Sequence, residues 1–287
     1  MKTTAESPGL RRTVLCRPDD EKGCFRCCPP IRPAGYDHLD HRAFLSREFR
    51  DNARRLPDNL ASPRTITGFS CWGLGFLDGG PGLVGCLLHP ARCQGRDLRD
   101  LTGYGDKCRR ELCPEAEVLA RMPPDTAGFV LNLACGLDSF EYSSPGANPV
   151  FRLLRWGPKV IGNLAALEPG GLSREEYRRR WPLLASRLDP ARDGYPVELL
   201  LERMTLRELA APGFLAGYEA ALARFTAENQ PPAPPPNDRR PFVHQLGLPP
   251  SLTRFLRTAL GRPRATRPEA EELRRKLEME MRKLRKN

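Results

Sequence analysis

The sequence contains no run of about 18 consecutive apolar residues, the length that a transmembrane helix requires. Its first residues also lack the apolar stretch of a secretory signal peptide. Histidine and methionine are scarce, at 4 and 5 residues among 287, and no cysteine follows Cys135. We therefore expect a cytoplasmic protein without a membrane span, in which any thiol chemistry is confined to the N-terminal half.

The composition excludes several other classes of protein. A hydrophobic content of 40% is enough for a real core, so the chain is not wholly disordered. It is neither collagen-like nor a disulfide-dependent miniprotein. Its 30 prolines and 25 glycines indicate many turns and short elements in place of long uninterrupted ones.

Positive charge is unevenly distributed along the chain. The formal net charge is +11, and arginine supplies 39 of the 46 basic residues. Residues 254–287 contain twelve Lys or Arg and five Glu, so this segment alone carries +7. The remaining +4 gives no indication of nucleic-acid binding, whereas the basic C-terminal segment could contact an acidic protein or another polyanion.

Cysteine is concentrated in one region, because nine of the ten cysteines lie between residues 16 and 113. In a cytosolic protein such clustering is more typical of metal binding than of a disulfide framework. The candidate metal ligands are Cys24, Cys27, Cys28, Cys71, Cys86, Cys93, Cys108 and Cys113. They suffice for one four-ligand site with spare thiols, or for two sites.

The sharpest motif is Cys24-x-x-Cys27-Cys28, which Pro29 and Pro30 follow directly. A C-x-x-C spacing lets two thiolates reach one metal ion from a single tight turn. Cys28 then either completes this site or serves a second ion. The two prolines block the helix that a thioredoxin-like motif needs, which favours metal binding over thiol–disulfide exchange.

Residues 69–89 are predicted to form a β-hairpin, because two short apolar runs flank a glycine-rich turn near Gly80. Such a hairpin brings Cys71 close to Cys86 and His89. The many glycines leave the register of the two strands open. His89 is therefore a candidate ligand in addition to the cysteines.

The remaining cysteines and histidines have simpler interpretations. Cys108 and Cys113 precede a predicted helix, whose N-terminus favours the thiolate form of a neighbouring cysteine. His38 and His41 are three residues apart on another predicted helix, where we expect both to be solvated. Cys135 lies among apolar residues at helical spacing and is predicted to be a small buried hydrophobe.

The order of these motifs resembles a family of cysteine-cluster domains of the CxxCxxCC type, to which zinc or iron chelation is ascribed. The residues that carry the resemblance are Cys24-x-x-Cys27-Cys28, Cys71-Trp72-Gly73-Leu74, Gly85-Cys86-Leu87-Leu88-His89-Pro90 and Cys93. The similarity covers residues 16–113. Glu21 stands where the family has a further cysteine, a role that Cys16 could fill, and the spacing from Cys86 to Cys93 is shorter than in the family.

The leading hypothesis is a cytosolic protein that chelates zinc or an iron–sulfur cluster through its cysteines. Thiolates select such metals over magnesium and calcium, but they do not separate zinc from iron–sulfur. The flagellin lysine methylases carry a comparable cysteine cluster, so the resemblance also implies an iron–sulfur-dependent protein-modifying enzyme. A third hypothesis is an interaction scaffold that structural zinc folds. No catalytic triad is recognisable, and whether the protein is an enzyme stays open.

We predict a mainly α protein in four parts. These are an irregular cysteine-rich metal-binding module with a small β-hairpin at 1–113, a helical body at 114–228, a proline-rich linker at 229–241 and a basic helical tail at 242–287. The predicted helices are 37–56, 115–122, 125–141, 148–168, 173–188, 196–210, 213–228, 251–260 and 266–284. Capping boxes at Ser173, Thr205 and Thr266 support three of the helix starts.

Overall fold

The computed structural model describes residues 14–28, 36–66, 71–77, 82–110, 113–186, 188–189, 192–231 and 238–285. The chain divides into two compact units, Met1–Arg174 and Glu175–Asn287, here called unit 1 and unit 2. The described part is mainly helical, as predicted. No helix within these ranges combines the length with the apolar character that a membrane crossing requires.

The N-terminal part of unit 1 is built from short elements. They are α1 (Arg42–Arg54), α2 (Leu56–Ala61), β1 (Leu74–Phe76), β2 (Val84–Cys86), a 3₁₀ turn (Arg99–Thr102) and α3 (Gly105–Arg110). The strands pair in antiparallel fashion, with Leu74 opposite Cys86 and Phe76 opposite Val84, which confirms the predicted hairpin. The predicted turn at Gly80 lies outside the described residues.

The rest of unit 1 is a succession of short helices. They are α4 (Pro114–Ala120), α5 (Pro124–Asn132), α6 (Ser139–Ser143), α7 (Pro149–Arg155) and α8 (Gly157–Leu167). The predicted helices 125–141 and 148–168 are each divided into two. The divisions fall at Gly136 and Gly157, whose φ angles of 74° and 82° interrupt a right-handed helix.

One apolar cluster joins the elements of unit 1 that carry cysteines. Its buried members are Phe25, Leu45, Phe49, Leu74, Phe76, Val84 and Phe140. The Phe25 ring packs edge-on against Phe49 at 5.3 Å and against Phe140 at 5.2 Å between centroids. Phe25 lies inside the C-x-x-C turn, so aromatic packing holds this turn against α1, the hairpin and α6.

Unit 2 is mainly helical in its described residues. Its elements are α9 (Arg174–Arg180), α10 (Pro182–Ala185), α11 (Gly194–Arg203), α12 (Leu206–Leu209), α13 (Phe214–Asn229), a 3₁₀ turn (Val243–Gln245), α14 (Pro250–Arg254), a π-helical turn (Phe255–Ala259) and α15 (Arg267–Lys283). The capping boxes predicted at Thr205 and Thr266 are confirmed. Each threonine hydroxyl accepts the backbone N–H of the glutamate three residues later, and the carboxylate of that glutamate accepts the backbone N–H of the threonine.

Helix α15 is an integral part of unit 2. Its stripe of Leu273, Leu277 and Met281 is buried, and the helix packs on α11 and α13. Glu280 on this helix pairs with Arg224 of α13 at 3.1 Å. The binding of an acidic protein or polyanion to this basic segment stays a prediction.

The boundary between the two units follows Arg174, whereas the predicted domain boundaries follow residues 113 and 228. Residues 114–174 belong to the same unit as the cysteine-rich segment, and residues 242–287 belong to the same unit as α9–α13. In unit 1 the physical reason is a set of hydrogen bonds from α6 to the C-x-x-C segment, described below. In unit 2 the reason is the buried stripe of α15.

Candidate metal centre

All ten cysteines lie within the described residues of unit 1, and none of them forms a disulfide bond. Cys28 and Cys71 pack against the Phe25 cluster, and the elements that carry the thiols define two sets of four cysteines. The turn set comprises Cys16, Cys24, Cys27 and Cys113. The hairpin set comprises Cys28, Cys71, Cys86 and Cys108. Each set has at least one exposed member, so both are open to solvent at one edge.

Backbone hydrogen bonds bring the first members of the turn set together. The Cys24 N–H donates to the carbonyl oxygen of Cys16 at 2.9 Å, which closes the intervening loop. The Cys28 N–H donates to the carbonyl oxygen of Phe25 at 3.0 Å and forms the turn after Cys24. The predicted tight turn of the C-x-x-C motif is therefore present, and Cys16 lies beside it.

Two serines of α6 fix this turn against the hairpin. Ser139 Oγ accepts the N–H groups of Gly23 and Val84, each at 3.1 Å. Ser143 Oγ, one helical turn further on, accepts the Phe25 N–H at 3.0 Å. The backbone at Gly23 runs so close to β2 that a Cβ there would overlap the carbonyl oxygen of Val84. Only glycine fits at this position without a shift of the backbone.

Glu115 connects Cys113 to the C-x-x-C turn. This buried carboxylate accepts a hydrogen bond from Cys113 Sγ at 2.8 Å. Its other oxygen, Oε1, lies 3.4 Å from Arg26 Nη1 and 3.0 Å from Arg155 Nε. Arg26 stands between Cys24 and Cys27 and is 89 residues from Glu115 in the sequence. The ion pair between them therefore brings Cys113 close to the C-x-x-C turn.

The hairpin set takes its geometry from the paired strands. Cys86 ends β2 opposite Leu74, and the Leu74 N–H donates to the carbonyl oxygen of Cys71 at 2.9 Å. Cys71 and Cys86 both pack against the small cluster of Ile66, Trp72 and Leu88. Cys71 also packs against the Phe25 cluster, as does Cys28.

Polar side chains hold the backbone of the hairpin set. Asn52 Nδ2 donates to the carbonyl oxygen of Cys71 at 3.1 Å, and His38 Nε2 donates to that of Cys28 at 3.2 Å. Arg99 Nη1 donates to the carbonyl oxygen of Cys108 at 3.0 Å. Arg99 itself is held by a two-pronged pair with Asp97, at 2.8 and 2.6 Å. These contacts fix main-chain positions, and the Cys71 sulfur itself accepts the Gly73 N–H at 3.4 Å.

Burial keeps the hairpin thiols protonated. Burial, with smaller contributions from neighbouring cysteine charges such as that of Cys108, raises the pKa of Cys71 to about 12 and that of Cys86 to about 11. For Cys28, the hydrogen bond with the Cys27 thiol raises the pKa first, followed by burial and the charges of Cys71 and Cys86. Because their pKa values are raised, these thiols stay protonated at neutral pH, and a metal ion must displace their protons in order to bind.

The turn set has the same electrostatic character. Burial raises the pKa of Cys24 well above its ordinary value, and the charges of Cys16, Cys27 and Cys113 raise it further. Burial and the Glu115 carboxylate raise the pKa of Cys113 to about 11. The thiols of this set therefore influence one another at short range, in addition to sharing backbone contacts.

Cys93 and Cys135 belong to neither set, although the charge of Cys93 is one of the causes that raise the pKa of Cys86. The Cys93 thiol donates to the carbonyl oxygen of Leu87 at 3.3 Å. Cys135 is exposed, so the prediction that it is buried is wrong. The reason is that α5 ends at Asn132, which places Cys135 on the turn before Gly136 and not on the apolar helical face.

The histidines occupy different environments. His38 is buried with its ring edge-on to Phe25 at 4.6 Å, so the prediction that it is solvated is wrong. It precedes α1, which begins at Arg42, and therefore does not lie on the helix. His41 is exposed and stacks on Tyr36 at 4.8 Å. His89 is exposed, and its Nδ1 accepts the Ala91 N–H at 3.2 Å.

Sequence reasoning missed several residues that build this region. Cys16 was named only as a substitute for a missing family cysteine, and Glu115 and Arg99 were not singled out. The Ser139–Ser143 pair could have been recognised in the sequence, because two hydroxyls four residues apart share one helix face. The sequence indicates no role for Glu115 beyond its place in the first turn of α4, because the arginines that it contacts are distant in sequence.

The two sets are neighbourhoods of thiols and not completed coordination spheres. Among the residues that the structure describes, no three Cys, His, Asp or Glu side chains are placed to share one metal ion. The donor chemistry nevertheless suits zinc or iron, because each set offers four sulfur atoms.

Comparisons of the chain with protein-family models, with curated proteins and with solved structures find no match. The functional assignment therefore depends on the thiol sets and on the elements that position them. The resemblance to the cysteine-cluster family, which motif order suggests, stays a hypothesis.

Proposed function

We propose that this protein chelates zinc or iron in the cytosol through the cysteines of unit 1. The observation that carries the proposal is the concentration of cysteines in unit 1 without a disulfide, with Cys24 held beside Cys16 and with Cys28 and Cys71 packed against one aromatic cluster. Thiolates in such numbers favour soft or borderline metal ions.

Metal binding would also explain how the first 113 residues hold a fold. Where the structure describes them, the strands have three residues each and the longest helix has 13. Elements this short contribute little stability of their own. A structural zinc site supplies roughly 10–16 kcal/mol of apparent binding free energy, which exceeds the net stability of many domains. We infer that the metal is part of the folded structure.

Zinc and an iron–sulfur cluster imply different roles. Structural zinc is redox-silent and would favour a folded binding module or interaction scaffold. An iron–sulfur cluster could carry electrons and would favour the protein-modifying enzyme. The eight thiols are compatible with both, so the metal decides between the roles.

The test is the metal content of the full-length chain purified without oxygen, measured together with its visible spectrum. We expect either colourless protein with near-stoichiometric zinc, or brown protein with iron and acid-labile sulfide. A C24S/C71S variant should lose most of the metal, whereas the exposed Cys135 offers a matched control in C135S. Wild-type protein without metal, with free thiols and an intact fold, would contradict the proposal.

A further inference from the structure

The excess positive charge of the C-terminal segment lies mostly in the residues that lead into α15. Residues 238–268 contain seven arginines and one carboxylate, that of Asp238, which gives a net charge of +6. Residues 269–285 contain six basic and five acidic side chains, a net charge of +1. Many of these form ion pairs along the helix, such as Lys283 with Glu280 at 2.8 Å. The segment before α15 is therefore the strongly basic part of unit 2.

Most arginines of this segment are free to meet an external anion. Arg240 already binds Asp238 through two hydrogen bonds of 3.0 and 2.9 Å, and it lies 3.1 Å from a carboxylate oxygen of Glu269. Arginines that are exposed and have no carboxylate partner among the described residues are Arg239, Arg254, Arg257 and Arg267. We call these four the exposed arginines.

An exposed aromatic stack lies in the same segment. Phe242 forms an antiparallel bridge with Arg264, flanked by two backbone hydrogen bonds of 3.0 and 3.1 Å. The Arg264 guanidinium lies 3.6 Å from the centroid of the Phe242 ring, and the His244 ring stacks on Phe242 at 5.4 Å with 20° between the planes. Phe242 is 37% exposed and His244 is exposed. Flat groups of this kind, open to solvent, are what unpaired bases stack on.

The bridge also determines where the nearby charges lie. In its antiparallel register, residues before Phe242 face residues after Arg264, so Arg239 and Arg267 lie at the same end of the bridged segment. At the other end, α14 packs on the 3₁₀ turn Val243–Gln245, which contains His244. Arg254 ends this helix, and Arg257 follows in the π-helical turn. Exposed arginines are therefore placed toward both ends of the stack.

We propose that this surface, made of the stack Arg264–Phe242–His244 and the exposed arginines, binds a single strand of nucleic acid. Unpaired bases stack on the flat side chains, and the arginines contact the phosphates on either side. An acidic protein would match the arginines but would give the exposed stack no role. In a duplex the bases are already stacked on one another. This binding is separate from the metal binding proposed for unit 1.

Fluorescence anisotropy with a labelled oligouridine of about 15 nucleotides tests the role of the stack in the full-length chain. We expect F242A and H244A each to weaken binding by about 5- to 100-fold, because base–aromatic stacking contributes that much per base. The H244F variant, which keeps a flat ring, should retain most of the affinity. The control M279A removes an exposed apolar side chain from α15 and should leave affinity unchanged.

The dependence of affinity on salt tests the role of the arginines. Each phosphate contact on a single strand adds about 0.7 to the slope of log affinity against log salt. The R239Q/R267Q variant should therefore lower the slope by about 1.4. The control R207Q/R282Q removes the same charge at the opposite end of α15, where Arg285 contacts Glu208 of α12, and should keep the wild-type slope.

Competition on the wild-type chain gives a measurement that does not depend on any variant folding. Unlabelled duplex RNA and polyglutamate should each require at least about tenfold more competitor than unlabelled oligouridine at equal charge concentration. Equal displacement by polyglutamate, together with an unchanged affinity in H244A, would identify a surface for acidic proteins and overturn the proposal. Failure of the wild-type chain to bind oligouridine at low salt would also overturn it. Neither result would alter the metal content that tests the proposed function.

Discussion

The cysteine-rich part of unit 1 and the whole of unit 2 hold their folds by different means. Between residues 14 and 113, strands of three residues and helices of 6 to 13 residues are held by side-chain hydrogen bonds to backbone, from Asn52 within this segment and from Ser139 of α6. Unit 2 contains no cysteine, and its two longest helices, α13 and α15, have 16 and 17 residues. Its stability comes from buried apolar stripes and capped helix ends.

This difference indicates where a metal matters. Unit 2 has the regular elements that helix propensity and apolar burial can stabilise without help. The cysteine-rich part of unit 1 has shorter elements and contains nine of the ten cysteines. We therefore expect metal dependence to be confined to unit 1, and the following predictions test that contrast in order of decreasing effect.

Removal of the metal should give the largest effect and should separate the two units. We expect residues 20–115 to lose amide protection after treatment with a strong chelator, because about 10–16 kcal/mol of binding free energy per structural zinc is withdrawn. The amides of α13 and α15 should keep theirs. Hydrogen exchange read by mass spectrometry measures both regions in one sample. Equal loss in both units, or none in unit 1, would refute the contrast.

Metal affinity should fall steeply as the pH is lowered. The pKa values of Cys71, Cys86 and Cys113 are raised to about 12, 11 and 11, so the protonated thiols dominate throughout neutral pH. Since each coordinating thiolate must release a proton, affinity rises with pH, by about tenfold per unit for every proton displaced. Competition with a zinc indicator between pH 6 and 8 measures the slope. The C135S variant should have the same slope, and a slope of zero would contradict thiol ligation.

In unit 2, a single core substitution should be costly while leaving the metal in place. Leu277 is fully buried on α15, so L277A should destabilise unit 2 by about 2–5 kcal/mol. Met279 on the same helix is 48% exposed, and M279A should change stability by less than about 0.5 kcal/mol. Urea unfolding followed in unit 2 measures both. A metal content that falls in L277A would show that the units depend on each other.

The sequence was sufficient for features that local patterns determine. The hairpin follows from two apolar runs around a glycine turn, and the starts of α12 and α15 follow from the boxes at Thr205 and Thr266. The division of the long predicted helices could not be predicted from the sequence, because a glycine can either continue a helix or end it. Gly136 and Gly157 end theirs, with positive φ angles that only tertiary packing selects.

The clustering of cysteines was predictable as a regional feature, whereas their division into sets was not. Cys113 reaches the turn set through Glu115 and Arg26, and no local pattern reports a contact between residues 89 apart. The burial of His38 likewise depends on the aromatic cluster around Phe25. Such long-range placements are decided by packing, for which a single sequence carries no periodic signal.

Substitution of Gly23 should give the smallest effect of the four predictions, and it tests the contact between the C-x-x-C turn and the hairpin. Because a Cβ at this position would overlap the Val84 carbonyl oxygen, G23A should destabilise unit 1 by about 1–3 kcal/mol. Gly128 provides the matched control, since it lies within α5 with open space around it, and G128A should stabilise unit 1 by about 0.5–1 kcal/mol. Urea unfolding of the metal-loaded chain measures both changes. If G23A were neutral, residues 23–25 would not need to lie against β2, and the turn set and hairpin set would lose the contact that keeps them side by side.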